Sequence, residues 1–410
     1  MQHMDVVVVG GGQAGLAMSW VLGAHGVAHV VLERGRVGER WRSERWDSLH
    51  MLTPRWHSRL PGFSYRGSDP DGFMSREEVI RYLESYARSF AAPLQEGVTV
   101  LVVAREGARF RVETDRGSWS AANVVIATGH CDEARVPAWA SQLPPGLVQV
   151  VPTRYRNPAS LPTGGVLVIG AAATGVQLAL EIRRSGRPVT LSASRHTRVP
   201  RRYRGRDIID WYEAAGIADD RAADIVDVEA ARRSPSLQLV GSSERRTLDL
   251  GVLREEGVRL VGRALGFENG RLSLADDLAA NAAQADERQA RLLARIDRYI
   301  AEAGIAAPPP EPVGPLRFGP TPTSLDLAAD GIRSVVWATG FRRAYPWLRI
   351  PVLDREGELR HEGGVTPVPG LYVIGLPFLR RRKSGWLDGV GDDARDLADH
   401  IATRLGRRAA

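Results

Sequence analysis

Apolar residues along the chain fall into one pattern that occurs twice. Residues 5–9 end in the run Val6-Val7-Val8-Val9, as expected of a strand covered on both faces of a parallel sheet. A glycine cluster follows, Gly10-Gly11-Gly12-Gln13-Ala14-Gly15, then a helical stretch from Leu16 to His25 and a second strand, His29 to Leu32, ending at Glu33. Residues 76–90 carry helical spacing through Val79, Ile80, Leu83, Ala87 and Phe90. From 98 to 126 the chain reads as short strands broken at Glu106-Gly107 and Arg116-Gly117, closing on Val124-Val125-Ile126. After a Pro-rich connection, 137–162, the pattern begins again: a strand at Val166–Ile169, the turn Gly170-Ala171-Ala172-Ala173-Thr174-Gly175, a helix to about Ser185 and a strand at 188–192.

Residues 208–230 and 277–303 are predicted to be helical and charged, with Leu292, Leu293, Ile296 and Ile300 forming a stripe expected to pack in a core. Beyond Pro308-Pro309-Pro310 come strands at 334–338 and 371–374 and a helix from about Asp392 to Leu405. Strands alternating with helices, met twice, predict an α/β fold with two Rossmann-like dinucleotide-binding domains, the second inserted in the first. The expected division assigns 1–158 and 325–410 to the first domain and 159–324, with a helical insertion, to the second.

Each glycine turn carries chemistry. In Gly10-x-Gly12-x-x-Gly15 the first glycine permits the tight turn, the second lets a pyrophosphate approach the backbone and the third lets helix and strand pack closely. The helix N-terminus, with Gln13 and Ala14, presents its positive end to the phosphates. Glu33, followed by Arg34, stands where a carboxylate accepts both ribose hydroxyls and repels a 2'-phosphate, which points to FAD or NAD. The second turn keeps Gly170, Thr174 and Gly175 but replaces the middle glycine by Ala172. At the end of its second strand Ser194-Arg195-His196-Thr197-Arg198 takes the place of an acid, so Arg195, His196 and Arg198 are candidates for holding the 2'-phosphate of NADPH. Opposite charge preferences at two such sites suit a chain that passes a hydride from NADPH to FAD. Two further strand ends repeat Ala-Thr-Gly, placing Thr128-Gly129 and Thr339-Gly340 as candidate nucleotide neighbours where the chain re-enters the first domain.

Composition narrows the alternatives. The only cysteine among 410 residues is Cys131, which excludes a CxxC pair and dithiol-disulfide exchange and leaves that residue a structural role. The net charge of +7 rests on arginine, with Lys383 the single lysine; without a nucleic-acid-binding module it reads as a solvated basic surface with some contacts to anionic cofactors. No apolar run approaches the roughly 18–20 residues of a membrane span, and the first residues lack signal-peptide character, so a cytoplasmic location without membrane contact is expected. No metal-ligand spacing, P-loop or Ser-His-Asp set stands out, and His57, His130 and His196 read first as surface or loop histidines.

Several segments together resemble a known family. Gly38-Glu39-Arg40-Trp41 followed by Arg45-Trp46-Asp47-Ser48-Leu49, Ala338-Thr339-Gly340-Phe341, Gly375-Leu376-Pro377-Phe378, Arg381-Arg382-Lys383-Ser384-Gly385 and Gly389-Val390-Gly391-Asp392-Asp393 are similar to the class B flavoprotein monooxygenases. Within that family the likeness is to bacterial members labelled as flavoproteins involved in potassium transport. The resemblance implies FAD- and NADPH-dependent insertion of one oxygen atom from O2 into a small organic substrate through a C4a-(hydro)peroxyflavin, by a monomer or homodimer. It also implies that Arg40, Trp41, Gly375 and Asp392 lie at the flavin, with Asp47 a polar, catalytic residue facing it. Two departures keep other readings open: Val150 and Val151 stand where the family places a histidine, and no asparagine appears around Thr53-Pro54. The other readings are an NADPH oxidase or diaphorase, and a non-catalytic nucleotide-sensing regulator of a transporter.

Overall fold

The computed structural model describes residues 1–407. Strand β1 (Gln2–Val9), helix α1 (Gln13–Ala24) and strand β2 (His29–Glu33) form the first predicted unit. Val6–Val9 are 5% exposed or less, because β1 lies between two parallel neighbours. Helix α2 (Arg76–Ser89) starts at a capping box, in which Ser75 and Glu78 satisfy each other's backbone N–H groups. Strands β3 (Leu94–Glu96), β4 (Val100–Glu106), β5 (Arg109–Thr114) and β6 (Gly117–Ile126) complete most of a first sheet of order β3-β2-β1-β6-β5-β4.

The second sheet is parallel and five-stranded. It runs β7 (Val148–Val150), β8 (Gly165–Ile169) with helix α3 (Ala173–Arg184), β9 (Val189–Ser192), β10 (Arg259–Val261) and β11 (Ile332–Trp337), in the order β7-β11-β8-β9-β10. Between β9 and β10 lies helix α4 (Ile208–Ala214), and after β10 comes the long helix α5 (Leu278–Glu302). The chain then returns to the first sheet as β12 (Leu371–Val373), parallel to the last residues of β6, and ends in α6 (Val390–Arg404), which packs on α1. No helix is long and apolar enough to cross a membrane among the described residues.

Insertion of one dinucleotide domain in another is as the repeat predicts, but strand pairing moves the expected boundaries. Val148–Val150 and Ile332–Trp337 pair with each other, and Ile332–Trp337 also with β8, so both belong to the second sheet rather than to 1–158 and 325–410. A buried parallel strand looks alike in either sheet, and only its partner tells them apart. For the same reason Ala338-Thr339-Gly340 closes a strand of the second sheet and is not a re-entry into the first. The helix predicted over 208–230 is instead Ile208–Ala214 and a short Val228–Arg232, separated by a turn at Gly216, whose φ is +64°. In the stripe on α5, Leu293, Ile296 and Ile300 are buried against α4 as expected.

Candidate active site

The two glycine turns are near copies of each other. Gly10 has φ +109° and Gly170 φ +111°, where an L side chain is strained, and a Cβ would lie 2.6 Å from the Ala127 carbonyl oxygen in the first and 2.2 Å from the Ala338 carbonyl oxygen in the second. A Cβ on Gly15 or Gly175 would meet the carbonyl of Gly10 or Gly170 at 1.9 and 1.8 Å. Each Ala-Thr-Gly segment is therefore the surface against which its glycine turn is pressed. The middle position differs: a Cβ on Gly12 would meet nothing within 4 Å, so it faces open space. Ala172, at φ −78° and ψ −176°, holds almost the same backbone as Gly12 at −79° and −172°, so the second cradle keeps its shape and carries one extra methyl.

Both turns open on one continuous cavity of about 1890 Å³, well beyond the ~300–1,000 Å³ of a single-ligand pocket. Gly10, Gly12, Gln13, Ala14, Glu33, Arg34, Arg40, Trp41, Thr128, Gly129 and Gly375 line it on the first side, and Gly170, Thr174, Arg195, Arg198, Thr339 and Gly340 on the second. The first side fits a dinucleotide on three counts. Glu33 is fixed by N–H donation from Gly11 to Oε2 (2.7 Å) and from Gly35 to Oε1 (2.9 Å), which leaves lone pairs for a ribose. The buried Thr128 hydroxyl has no protein partner, and the space over Gly12 sits at a helix N-terminus suited to phosphate. Arg40 bonds the Cys131 carbonyl and Asp132, while Arg34 pairs with Glu44 at 3.2 Å. The Cys131 thiol also lines the cavity; burial pushes its pKa up, but His130, Arg45 and Arg40 outweigh that and hold it below its ordinary value.

Three expected site residues lie elsewhere. Asp47 is exposed, does not line the cavity, and accepts hydrogen bonds from Arg76 (3.0 Å) and Asn157 (2.7 Å). With Ser48 bonded to Glu181 at 2.8 Å, it braces the loop after Trp41 against the second domain and touches no reacting group. Asp392 pairs with Lys383 (3.3 Å) and Arg395 (2.8 Å) on the outside of α6. His196 is fully buried, donates from Nδ1–H to the Ser194 carbonyl at 2.9 Å, and does not line the cavity; burial lowers its pKa. His57, also expected at the surface, is buried between Trp56 and Trp386.

Arg198 reaches the cavity but is only 2% exposed and is already neutralised. Its Nη1 lies 3.1 Å from Asp249, its Nε 2.8 Å from Asp286, and Nη2 donates to the Gly314 carbonyl at 2.7 Å. Arg195 is exposed, donates to the Arg233 carbonyl at 3.3 Å and has no carboxylate within ion-pair distance among the described residues. Val150 and Val151 are half-buried, pack against the core of the second domain and do not line the cavity.

Away from the turns the cavity wall becomes apolar. Leu52, Val199, Ile209, Tyr212, Leu292 and Trp386 pack on one another and face it, and Gln13 ties this side to the first turn by donating to the Gly385 carbonyl at 3.0 Å. Two polar groups break that wall. Gln289 is 4% exposed, and burial pushes the Tyr212 hydroxyl pKa up to about 12. Leu52 and Val199 lie in loops, Ile209 and Tyr212 on α4, Gln289 and Leu292 on α5 and Trp386 on the approach to α6, so only the fold brings them together.

One buried acid beside the site gives a stability test. Burial pushes the Asp393 carboxyl from 3.8 up to about 6, against the pull of Ser384, Arg381 and Arg380. An acid that holds its proton more tightly in the native state lowers stability as pH rises from about 4 to about 6, and the cost persists above that window. Asp393→Asn is expected to stabilise the protein by on the order of 2–3 kcal/mol at pH 8 and hardly at all near pH 3. Urea titrations across pH check this; equal gains at both ends would rule out the titration as the cause.

Comparison with known proteins agrees with the geometry. Residues 7–209 match the pyridine nucleotide-disulphide oxidoreductase family, although the single cysteine leaves no dithiol pair. The chain is 31% identical over 405 residues to an uncharacterized CzcO-like oxidoreductase of Geobacillus kaustophilus, covering 98% of this chain and 99% of that one. It is 30% identical over 184 residues to the indole-3-pyruvate monooxygenase YUCCA1 of rice, 44% and 45% of the two chains. Among solved structures the fold is similar to a flavin-containing monooxygenase from Stenotrophomonas maltophilia, with a TM-score of 0.70 and 21% identity over 99% of this chain and 100% of that one. With two matched glycine turns, one cavity between them and a relative matched over almost its whole length, the chain belongs to the family of CzcO-like oxidoreductases and has the fold of flavoproteins with two dinucleotide-binding domains.

Proposed function

We propose that the protein is an FAD- and NADPH-dependent monooxygenase that puts one oxygen atom of O2 into a small, largely apolar substrate and releases the other as water. The observation that carries this reading is the pair of near-identical turns with opposite charge around them, Glu33 at the first and arginines at the second, opening on one cavity. Gly12 and the N-terminus of α1 would take the FAD pyrophosphate, Glu33 its ribose, and Ala172 with the N-terminus of α3 the pyrophosphate of NADPH. Bound FAD supplies the chemistry by which two electrons from NADPH activate O2. The chain's part is to hold the two nucleotides on one cavity, to keep water from the reacting centre with the wall of Val199, Ile209, Leu292 and Trp386, and to orient the substrate with Gln289 and Tyr212.

The test is rapid mixing of reduced, NADP+-bound protein with oxygen, with a panel of sulfides, amines, ketones and electron-rich heterocycles. Monooxygenation predicts two-phase flavin reoxidation and, with an accepted substrate, one product and one water per NADPH. Single-phase reoxidation with one hydrogen peroxide per NADPH across the whole panel would establish an oxidase instead. Steady NADPH consumption of either kind excludes a purely sensory role.

A further inference from the structure

With Arg198 tied to two carboxylates, the charge that selects NADPH must come from elsewhere. Two candidates lie on α5, far from the second glycine turn in sequence. Arg288 and Arg291, one turn apart, line the cavity together with Arg195, which follows the C-terminal end of β9. Among the described residues none of the three has a carboxylate within ion-pair distance; Arg288 donates to the His196 carbonyl at 2.7 Å and Arg195 to the Arg233 carbonyl at 3.3 Å. Two other arginines of the cavity differ: Arg233 faces Glu356 at 3.6 Å and Arg263 faces Asp277 at 3.5 Å.

We infer that Arg288 and Arg291 of the inserted helix, with Arg195, form the subsite for the 2'-phosphate of the adenine nucleotide. This rests on the NADPH reading of the second turn and assigns it residues. Like charges held together without counter-ions repel one another, so such a cluster is stable only where an anion arrives between them or water screens them. Burial, and then the charges of Arg195 and Arg291, pull the Arg288 guanidinium below its ordinary pKa. The place is also right: the end of β9 is where β2 presents Glu33 in the first domain, so the two repeats read the ribose at the same position with opposite charge. A phosphomonoester dianion matches two or three planar guanidinium groups, and a free ribose hydroxyl gives them nothing to bind. The same helix carries Gln289 and Leu292 to the apolar wall, so nucleotide contact and substrate wall share one rigid element.

Calorimetric titration of the FAD-loaded protein with ADP-ribose and with 2'-phospho-ADP-ribose tests the inference. Neither probe carries a nicotinamide, so the result does not depend on whether oxygenation occurs. The unaltered protein is expected to favour the phosphorylated probe, and loss of each guanidinium to weaken that probe roughly 10- to 150-fold while leaving ADP-ribose unchanged. Arg288→Ala with Arg291→Ala should therefore bring the two probes together. Arg291→Glu, on an exposed position where folding is not at risk, should reverse the preference. Arg288→Lys with Arg291→Lys should restore part of it, with a stronger salt dependence. The inference is overturned if the unaltered protein does not discriminate between the probes, or if Arg291→Glu discriminates as the unaltered protein does.

Discussion

Gly12→Val protein is expected to purify colourless, without bound FAD, while keeping the fold of the flavin-free chain. The two halves of that expectation have separate grounds. A Cβ at Gly12 meets nothing within 4 Å and the residue's φ of −79° is open to any side chain, so valine costs the fold little. What it occupies is the space over the N-terminus of α1, where the pyrophosphate would accept backbone N–H groups. Displacing two charge-assisted hydrogen bonds costs about 3–6 kcal/mol, roughly 100-fold or more in affinity. Gly10 and Gly15 make poor substitutes for this test, since a Cβ there collides with the Ala127 or Gly10 carbonyl and would unfold the turn itself. Flavin content by absorbance after unfolding, set beside the circular dichroism and melting curve of flavin-free unaltered protein, decides it. A yellow Gly12→Val protein with one flavin per chain would remove the first turn from the cofactor site.

How far the sequence reaches is visible in which residues hold their assigned places. The turns at Gly10–Gly15 and Gly170–Gly175 and Glu33 do, because their chemistry is local: a few backbone atoms within one strand-turn-helix unit determine it. Strand Ile332–Trp337 shows where locality ends, since a buried apolar strand carries no mark of its sheet and pairs here with Val148–Val150 and β8. Asp47 follows a segment that does reach the cavity through Trp41, yet the loop turns it outward to Arg76 and Asn157. Arg288, Gln289 and Leu292 read in sequence as one charged amphipathic helix, and their separate faces acquire meaning only once α5 lies over the cavity. Charge in a motif says that an arginine is present, and the structure adds whether that charge is already spent on a neighbour.

Arg198 is the clearest case of that last point, and it yields a large expected effect. Its guanidinium is 2% exposed and faces Asp249 at 3.1 Å and Asp286 at 2.8 Å; Asp249 also caps the helix Leu250–Glu255 through the Val252 N–H at 3.0 Å. Arg198→Ala leaves two poorly solvated carboxylates facing each other without a cation, a loss expected to cost about 3–5 kcal/mol and to lower the melting temperature on the order of 10 °C. Replacing all three by neutral groups, Arg198→Met with Asp249→Asn and Asp286→Asn, should recover most of that loss, since asparagine still caps the helix and no charge is left unpaired. Below the melting temperature Arg198→Ala should bind 2'-phospho-ADP-ribose in preference to ADP-ribose as the unaltered protein does. Thermal unfolding and the two-probe titration on the same preparations separate stability from recognition. An Arg198→Ala protein that melts unchanged but no longer discriminates between the probes would show that Asp249 and Asp286 release the guanidinium to the nucleotide, and would return 2'-phosphate recognition to the strand end where the motif first placed it.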